Sequence, residues 1–226
     1  MSNQKFLVTT AALVTLLTAT PLMAIEKGDT LLNVRILNIN PDVGSNDIHA
    51  ISGGSAGLGG IDVDDGYSLG LDITYMVSDN FGVELMLNTT STHDINGASG
   101  LPVSNVGEVA VLPPSLIAVW HFKPSSNIRP YVGAGINYTF FFNEDTTSEL
   151  DVGLGGNTDL DIDDAFGLVA QAGVDIDINK DWYISFDAKY IDMDTEATIK
   201  VNGANAAKVA FDVNPLILGI GVGTRF

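Results

Sequence analysis

Residues 216–226 read Leu-Ile-Leu-Gly-Ile-Gly-Val-Gly-Thr-Arg-Phe. Leu216, Leu218, Ile220, Val222 and Phe226 alternate with positions that include Gly219, Gly221, Gly223 and Arg225. Period-two alternation marks a strand, because successive side chains point to opposite faces. One face is greasy. The other is small or charged, where a soluble sandwich would carry a hydrophilic surface. Glycines on that second face suit a narrow, crowded interior, which puts the greasy face outside. Lipid outside and a tight barrel inside produce this pattern, with an ordinary buried strand as the competing reading. The aromatic Phe226 fits an interfacial girdle position.

The bulk composition points the same way. The chain has 226 residues, no cysteine and a net charge of −18, and 46% of it is hydrophobic. Its length suits one large all-β domain. The missing cysteines exclude a disulfide scaffold and thiol chemistry. The acidic balance argues against nucleic-acid binding, which needs basic patches. No stretch after the amino-terminal region gives the ~18 consecutive apolar residues of a spanning helix. High apolar content without such a helix is expected of a membrane barrel, whose lipid signal is diluted by alternation.

Residues 1–24 have the layout of a cleaved signal peptide. Lys5 supplies positive charge, residues 6–17 are an apolar core, Pro21 breaks it, and Leu22-Met23-Ala24 resembles a cleavage site. The apolar run is too short for a membrane anchor. Loss of Lys5 leaves nine basic residues against 28 acidic ones, or −19 for residues 25–226.

Eight strands are expected: 31–40, 67–77, 81–90, 108–122, 130–143, 166–178, 182–199, and a last one from about 208. Segments 41–65, 91–107 and 144–164 are read as long loops, while 78–80, 123–128 and 179–181 are tight turns. Long and short connections alternate. In an up-and-down barrel all the long ones then share one end, as in outer-membrane barrels with external loops and periplasmic turns. A lipocalin-like soluble barrel would instead expose so many strand glycines that it fits poorly. Tyr75, Phe81, Trp120, Phe122, Trp182 and Phe226 cluster at the turn end, as a girdle would.

Several motifs resemble the OmpW family of outer-membrane barrels. They are Tyr75-Met76 with Asp79-Asn80 and residues 82–85, Leu112-Pro113-Pro114-Ser115-Leu116, residues 129–138, Asp181-Trp182, Tyr190-Ile191-Asp192 with Asp194-Thr195, and Arg225-Phe226. The resemblance covers essentially residues 25–226. It implies an all-β, eight-stranded antiparallel up-and-down barrel in the Gram-negative outer membrane, reached after export. It also implies a narrow interior associated with passage of small hydrophobic molecules. The first and third long loops do not match clearly.

With the apolar faces turned to lipid, parity fixes the inward residues. Arg35, Asp72, Glu84, Asp175, Asp177, Asp187, Lys189 and Arg225 are expected to form a polar plug near the turn end, paired because buried charges must be. Leu31, Leu37, Met86, Ile117, Val119, Phe141 and Ile191 are expected to form an apolar funnel toward the long-loop end. The resemblance places Met86 and Lys189 where apolar side chains narrow the lumen, and Lys189 departs from that pattern. Pro113 and Pro114 cannot donate ladder hydrogen bonds. They are either a weak seam, opening sideways from funnel to membrane, or loop residues above the sheet.

No lysine or arginine occurs between Arg35 and Lys123 or between Arg129 and Lys180, so the long loops are acidic. Asp159, Asp161 and Asp163 alternate like oxygen ligands but lack the glycine and terminal glutamate of an EF-hand loop. Solvation is the plain reading of these loops, and divalent-cation bridging to lipopolysaccharide is the sharper one. His49, His93 and His121 have no metal-ligand spacing and no hydrolase order, so neither enzyme nor cofactor is expected. The expected partners are outer-membrane lipid, lipopolysaccharide, small hydrophobic solutes, and the barrel-assembly machinery reading Phe226. The alternative is a sealed structural or receptor barrel whose loops bind phage, toxin, host or cations.

Overall fold

A computed structural model describes residues 24–45, 48–50, 55–58, 61–97, 103–123 and 125–226. The expected signal peptide falls almost wholly outside the described residues. In chain order the elements are β1 (Thr30–Asn40), β2 (Val43–Ser45), β3 (Ile48–Ala50), β4 (Ser55–Leu58), β5 (Ile61–Val63), β6 (Gly66–Met76), β7 (Phe81–Asn88) and β8 (Ser91–Gly97). Then follow β9 (Asn105–Leu112), β10 (Ser115–His121), β11 (Ile128–Thr146), α1 (Ser148–Leu154), β12 (Thr158–Ile162), β13 (Ala165–Asp177), β14 (Trp182–Val201), β15 (Ala204–Val213) and β16 (Leu216–Arg225).

Eight of these strands close a ring by antiparallel pairing: β1, β6, β7, β10, β11, β13, β14 and β16. The closing seam joins the first strand to the last, with Leu31 opposite Arg225 and Asn40 opposite Leu216. Phe226 and Thr30 exchange backbone hydrogen bonds of 3.0 Å, which ties the chain's end to the ring. Closure satisfies the backbone groups that an open edge would leave bare in lipid. The glycines of β16 make room for inward side chains. A Cβ on Gly221 would lie 2.5 Å from Arg35 Cγ, and one on Gly223 would lie 2.1 Å from the Tyr183 ring.

The ring is only the lower tier. The segments expected to be long loops continue the wall upward. β8 and β9 extend β7 and β10, β9 pairs with the top of β11, and β12 and β15 flank the top of β14. The last expected strand is two, because Asn214-Pro215 separates β15 from β16. The β14–β15 hairpin turns tightly through Asn202 (φ 50°) and Gly203 (φ 78°), a left-handed pair suited to such a turn.

The two tiers differ in what faces where, and β14 shows it within one strand. Below, Trp182, Ile184, Phe186 and Tyr190 point outward, and Tyr183, Ser185, Asp187 and Lys189 point inward and are buried. Above, Asp192, Asp194 and Glu196 point outward, and Ile191, Met193, Thr195, Ala197 and Ile199 are the buried inward residues, all but Thr195 apolar. The parity is constant and the polarity of both faces inverts. The nine residues from Trp182 to Tyr190 are the length a tilted strand needs to cross the membrane. Tyr75, Trp120, Phe122, Trp182 and Phe226 mark the lower rim, and Tyr67, Tyr138, Phe166 and Tyr190 the upper one; all are well exposed.

Candidate functional site

The lower interior is filled by ion pairs. Arg35 on β1 is the hub. Its Nη1 lies 2.8 Å from Asp72 Oδ2 and 3.1 Å from Asp187 Oδ1, and its Nη2 donates to Tyr131 Oη and Ser185 Oγ, both at 3.0 Å. The Tyr131 hydroxyl in turn donates to Asp187 at 3.0 Å. Lys189 pairs with Asp187 and sits 3.8 Å from Glu84 and 3.9 Å from Asp72. Glu84 also accepts from Thr74 at 3.0 Å. Nearer the tight turns a second group joins Arg129 to Asp177 and, at 3.6 Å, to Asp175, with Arg225 3.8 Å from Asp177. All eight residues expected in a plug therefore lie in these two groups. Arg35, Lys189 and Arg129 are 3%, 1% and 0% exposed, and the charged layer leaves only a small void of about 10 Å³ beside Arg35, Glu84, Tyr131 and Asp175. Arg129 and Tyr131, central to the two groups, were not assigned to the plug from sequence. Their signal was present, since both share the inward parity opposite Val132.

Above this layer is a small apolar chamber with a cavity volume of about 60 Å³, bordered by inward residues of both tiers. Ile39, Phe141, Ile191, Met193, Phe211 and Ile217 make much of its wall. Of the seven residues expected in an apolar funnel, Phe141 and Ile191 line it. Leu37, Met86, Ile117 and Val119 are buried inward but lower, interleaved with the ion pairs: in register Met86 faces Asp72, and Ile117 faces Glu84. Leu31 requires a larger correction. It pairs with Thr74 and Arg225 and packs with Ile25 and Met76 at the turn end, beneath the charged layer. Parity states which side of the wall a residue faces, not its height.

Pro113 and Pro114 lie in the wall at the upper rim. On the β11 side the register runs through them unbroken, from Ser115 opposite Asn137 to Leu112 opposite Phe140, and Tyr138 N donates to Pro114 O at 3.1 Å. On the β7–β8 side pairing stops at Ser115 opposite Met86 and resumes at Val111 opposite Ser91. Residues 87–90 thus face residues 112–114, a one-residue mismatch. Among the described residues the Pro113 carbonyl takes only the long 3.4 Å contact of Ser115's own hydroxyl. Pro113 borders the chamber, and Pro114 borders a groove on the outer face with Leu85, Leu116, Ile136 and Phe166. Ser115 and Asn137, inward and buried, also border that outer groove.

The acidic segment of residues 157–164 is not a cation loop. Asp159 and Asp161 lie on the outward face of β12, about 7 Å apart along the strand. Asp161 pairs with Lys200 at 2.8 Å, and Asp163 follows the strand as an exposed residue. Among the described residues no three carboxylate, histidine or cysteine side chains are grouped to hold a metal ion. This corrects the candidacy of Asp159, Asp161 and Asp163.

Residues 26–226 match the model of the OmpW family. Outer membrane protein W of Salmonella typhimurium is 38% identical over 227 residues, covering 99% of this chain and 100% of that protein. A protein named for the dibenzothiophene metabolism operon, PahQ of Pseudomonas aeruginosa, is 29% identical over 176 residues, covering 78% of this chain and 77% of its own. The crystal structure of the outer membrane protein OprG from Pseudomonas aeruginosa superimposes with a TM-score of 0.83 at 31% identity, covering 91% of this chain and 99% of OprG. An eight-stranded ring with a lipid-facing exterior, a full-length family match and an outer-membrane relative of the same fold together establish that this chain belongs to the OmpW family of outer-membrane β-barrels.

Proposed function

We propose that the chain is a passive uptake channel for small hydrophobic molecules. A solute enters the apolar chamber from the long-loop end. The charged layer stops it, because an apolar molecule cannot replace the hydrogen bonds and ion pairs that hold Arg35, Lys189 and their carboxylates. It leaves sideways through the seam at Pro113 and Pro114 into the surrounding lipid. One observation carries this reading: an apolar chamber stands directly on a closed, charged interior. The broken β7–β10 register beside the prolines supports the exit. A relative named for dibenzothiophene metabolism supports an apolar, aromatic class of solute. On this reading the chain is not an enzyme. Its acidic upper wall lies against lipopolysaccharide, and exposed Phe226 is the end presented to the barrel-assembly machinery.

The test is uptake of a small apolar solute by vesicles with a lipopolysaccharide outer leaflet that contain the refolded barrel, with a Pro113→Val, Pro114→Val double variant alongside. The expected result is uptake above that of empty vesicles, reduced in the double variant. Uptake unchanged in the variant would move the exit elsewhere. No uptake would sink the channel and leave a sealed barrel whose loops act as a receptor.

A further inference from the structure

Two small voids in the interior have the same volume, about 10 Å³ each. One lies in the core of the upper tier and has an entirely apolar wall, Val106, Leu160, Val209 and Phe211 among it. The other lies in the charged layer, between Arg35 and Glu84 of one ion-pair group and Asp175 of the other.

Three side chains bring bare polar atoms to the wall of the second void. Asn33, Glu84 and His121 are 3%, 4% and 2% exposed. Asn33 lies two residues before Arg35 on β1, and His121 two after Val119 on β10, so both share the inward parity. Among the described residues, Asn33 Oδ1, Glu84 Oε1 and both ring nitrogens of His121 have no hydrogen-bond partner, and Arg35 Nε is in the same condition. Lys189 stands 3.8 Å from Glu84 Oε1, too far for a hydrogen bond. The His121 ring lies against the Tyr131 ring, with centroids 5.4 Å apart, a contact that leaves its nitrogens free. A buried polar atom without a partner forfeits its water hydrogen bonds and recovers nothing in return. Here donors and acceptors of that kind surround a space of about the size of one water molecule.

We infer that this void is a binding site for a single ordered water molecule. The water donates its two protons to Asn33 Oδ1 and Glu84 Oε1, and its oxygen accepts from Arg35 Nε or from a ring N–H of His121. The guanidinium on the wall disfavours a cation in the same space. The apolar void of equal volume offers no polar partner and stays dry. This site goes beyond the uptake reading and holds without it. It gives the charged layer a water of its own, held by several partners, where the two ion-pair groups approach each other.

The test uses the refolded barrel in lipid vesicles. Leu31 and Val119 border the polar void, and Val209 borders the apolar one. Solid-state NMR reads through-space transfer from water protons to labelled methyl groups. Clear transfer is expected at Leu31 and Val119, and none above noise at Val209. Val119→Ile adds a methylene to the wall of the polar void, enough to displace one water, and should abolish the transfer at Leu31. Transfer that survives there would come from exchanging hydroxyl protons of neighbouring side chains and would overturn the site. So would no transfer at Leu31 and Val119 in wild type, or equal transfer at Val209.

Stability gives an independent reading. Val209→Ile adds the same group to the apolar void, so the two variants share any cost of crowding. Val119→Ile alone also leaves the partners of the water bare. Its unfolding constant in urea is expected to rise about tenfold above that of Val209→Ile, the factor for one buried polar group left unsatisfied. Equal shifts in the two variants would overturn the water site. If Val119→Ile does not fold, the wild-type transfer at Leu31 and Val119 against Val209 decides.

Discussion

Below Tyr190, β14 turns Phe186 to the outside and Asp187 to the inside; above it, the same strand turns Asp194 out and Met193 in. The pleat cannot change which residues face outward, so the inversion records a change of surroundings. In the lower tier the outside is hydrocarbon, and polar side chains are driven inward, where they neutralise one another. In the upper tier the outside is water, and apolar side chains are driven inward as in a soluble protein. The chamber lies where these two packing regimes meet. The charged layer ends, and the apolar layer above encloses space it does not fill. The proline seam lies at the same height, where the wall leaves the lipid.

This contrast is open to direct attack. The largest effect is expected from Arg35→Leu. It leaves Asp72 and Asp187 with Lys189 as their remaining shared counter-charge in a buried interior, and should destabilise the barrel by about 3–5 kcal/mol in urea unfolding from lipid vesicles. Lys208→Leu removes a charge paired with Glu196 on the exposed upper wall and should change stability by less than about 1 kcal/mol. Equal losses would mean that the ion pairs inside the lower tier are no more sheltered from water than those on the outside of the upper wall.

Next in size is a charge on the outer face. Ile220 is outward at mid-height in the lower tier, opposite Phe186 in register. Ile220→Arg should cost about 2–4 kcal/mol, as expected for arginine near the bilayer midplane. Thr92 is outward in the upper tier, and Thr92→Arg should stay within about 0.5 kcal/mol. A large loss at Thr92 would place the membrane edge higher on the wall than the girdle residues do.

The smallest expected effect lies on the upper wall itself. Asp194 and Asp212 stand opposite each other across β14 and β15, and the hydrogen bond and charge of Asp212 hold the Asp194 carboxyl above its ordinary range. A carboxyl whose folded pKa is raised binds more proton in the folded state. Its contribution to stability is therefore present at low pH and lost as pH rises through the raised value. Asp194→Asn should protect the β14–β15 amides from hydrogen exchange slightly better than wild type near pH 7, and the difference should vanish on acidification. A variant that exchanges faster at neutral pH would contradict the repulsion.

Much of the lower tier is legible in sequence because lipid enforces strict alternation there. Residues 216–226 alone suggest a greasy exterior and a crowded interior, and the same parity rule selects eight of the nine charged residues that the fold brings together, Arg129 being the ninth. The upper tier is not read this way. Thr158-Asp-Leu-Asp-Ile162 alternates as cleanly as any ring strand, but its outward positions are aspartates, and acid-rich stretches resemble loops. Height along the barrel is equally hidden. Leu31 and Ile191 share the inward side, yet one lies under the charged layer and the other in the chamber, because β1 rises from the turn end while the chamber takes the upper part of β14. The prolines are visible in sequence. Which neighbour loses its register beside them depends on pairing between β7–β8 and β9–β10, which no local pattern encodes.

The central claim is that the apolar chamber is a route and the charged layer beneath it a stop. It is tested most directly by measuring 4-ethyltoluene and glycerol flux in parallel in one batch of lipopolysaccharide vesicles containing the wild-type barrel. The account predicts 4-ethyltoluene uptake well above that of empty vesicles and glycerol uptake equal to theirs. Glycerol passing with the hydrocarbon would mean an open aqueous pore through the charged layer, and 4-ethyltoluene failing to enter would mean that the chamber leads nowhere; either result would contradict the account.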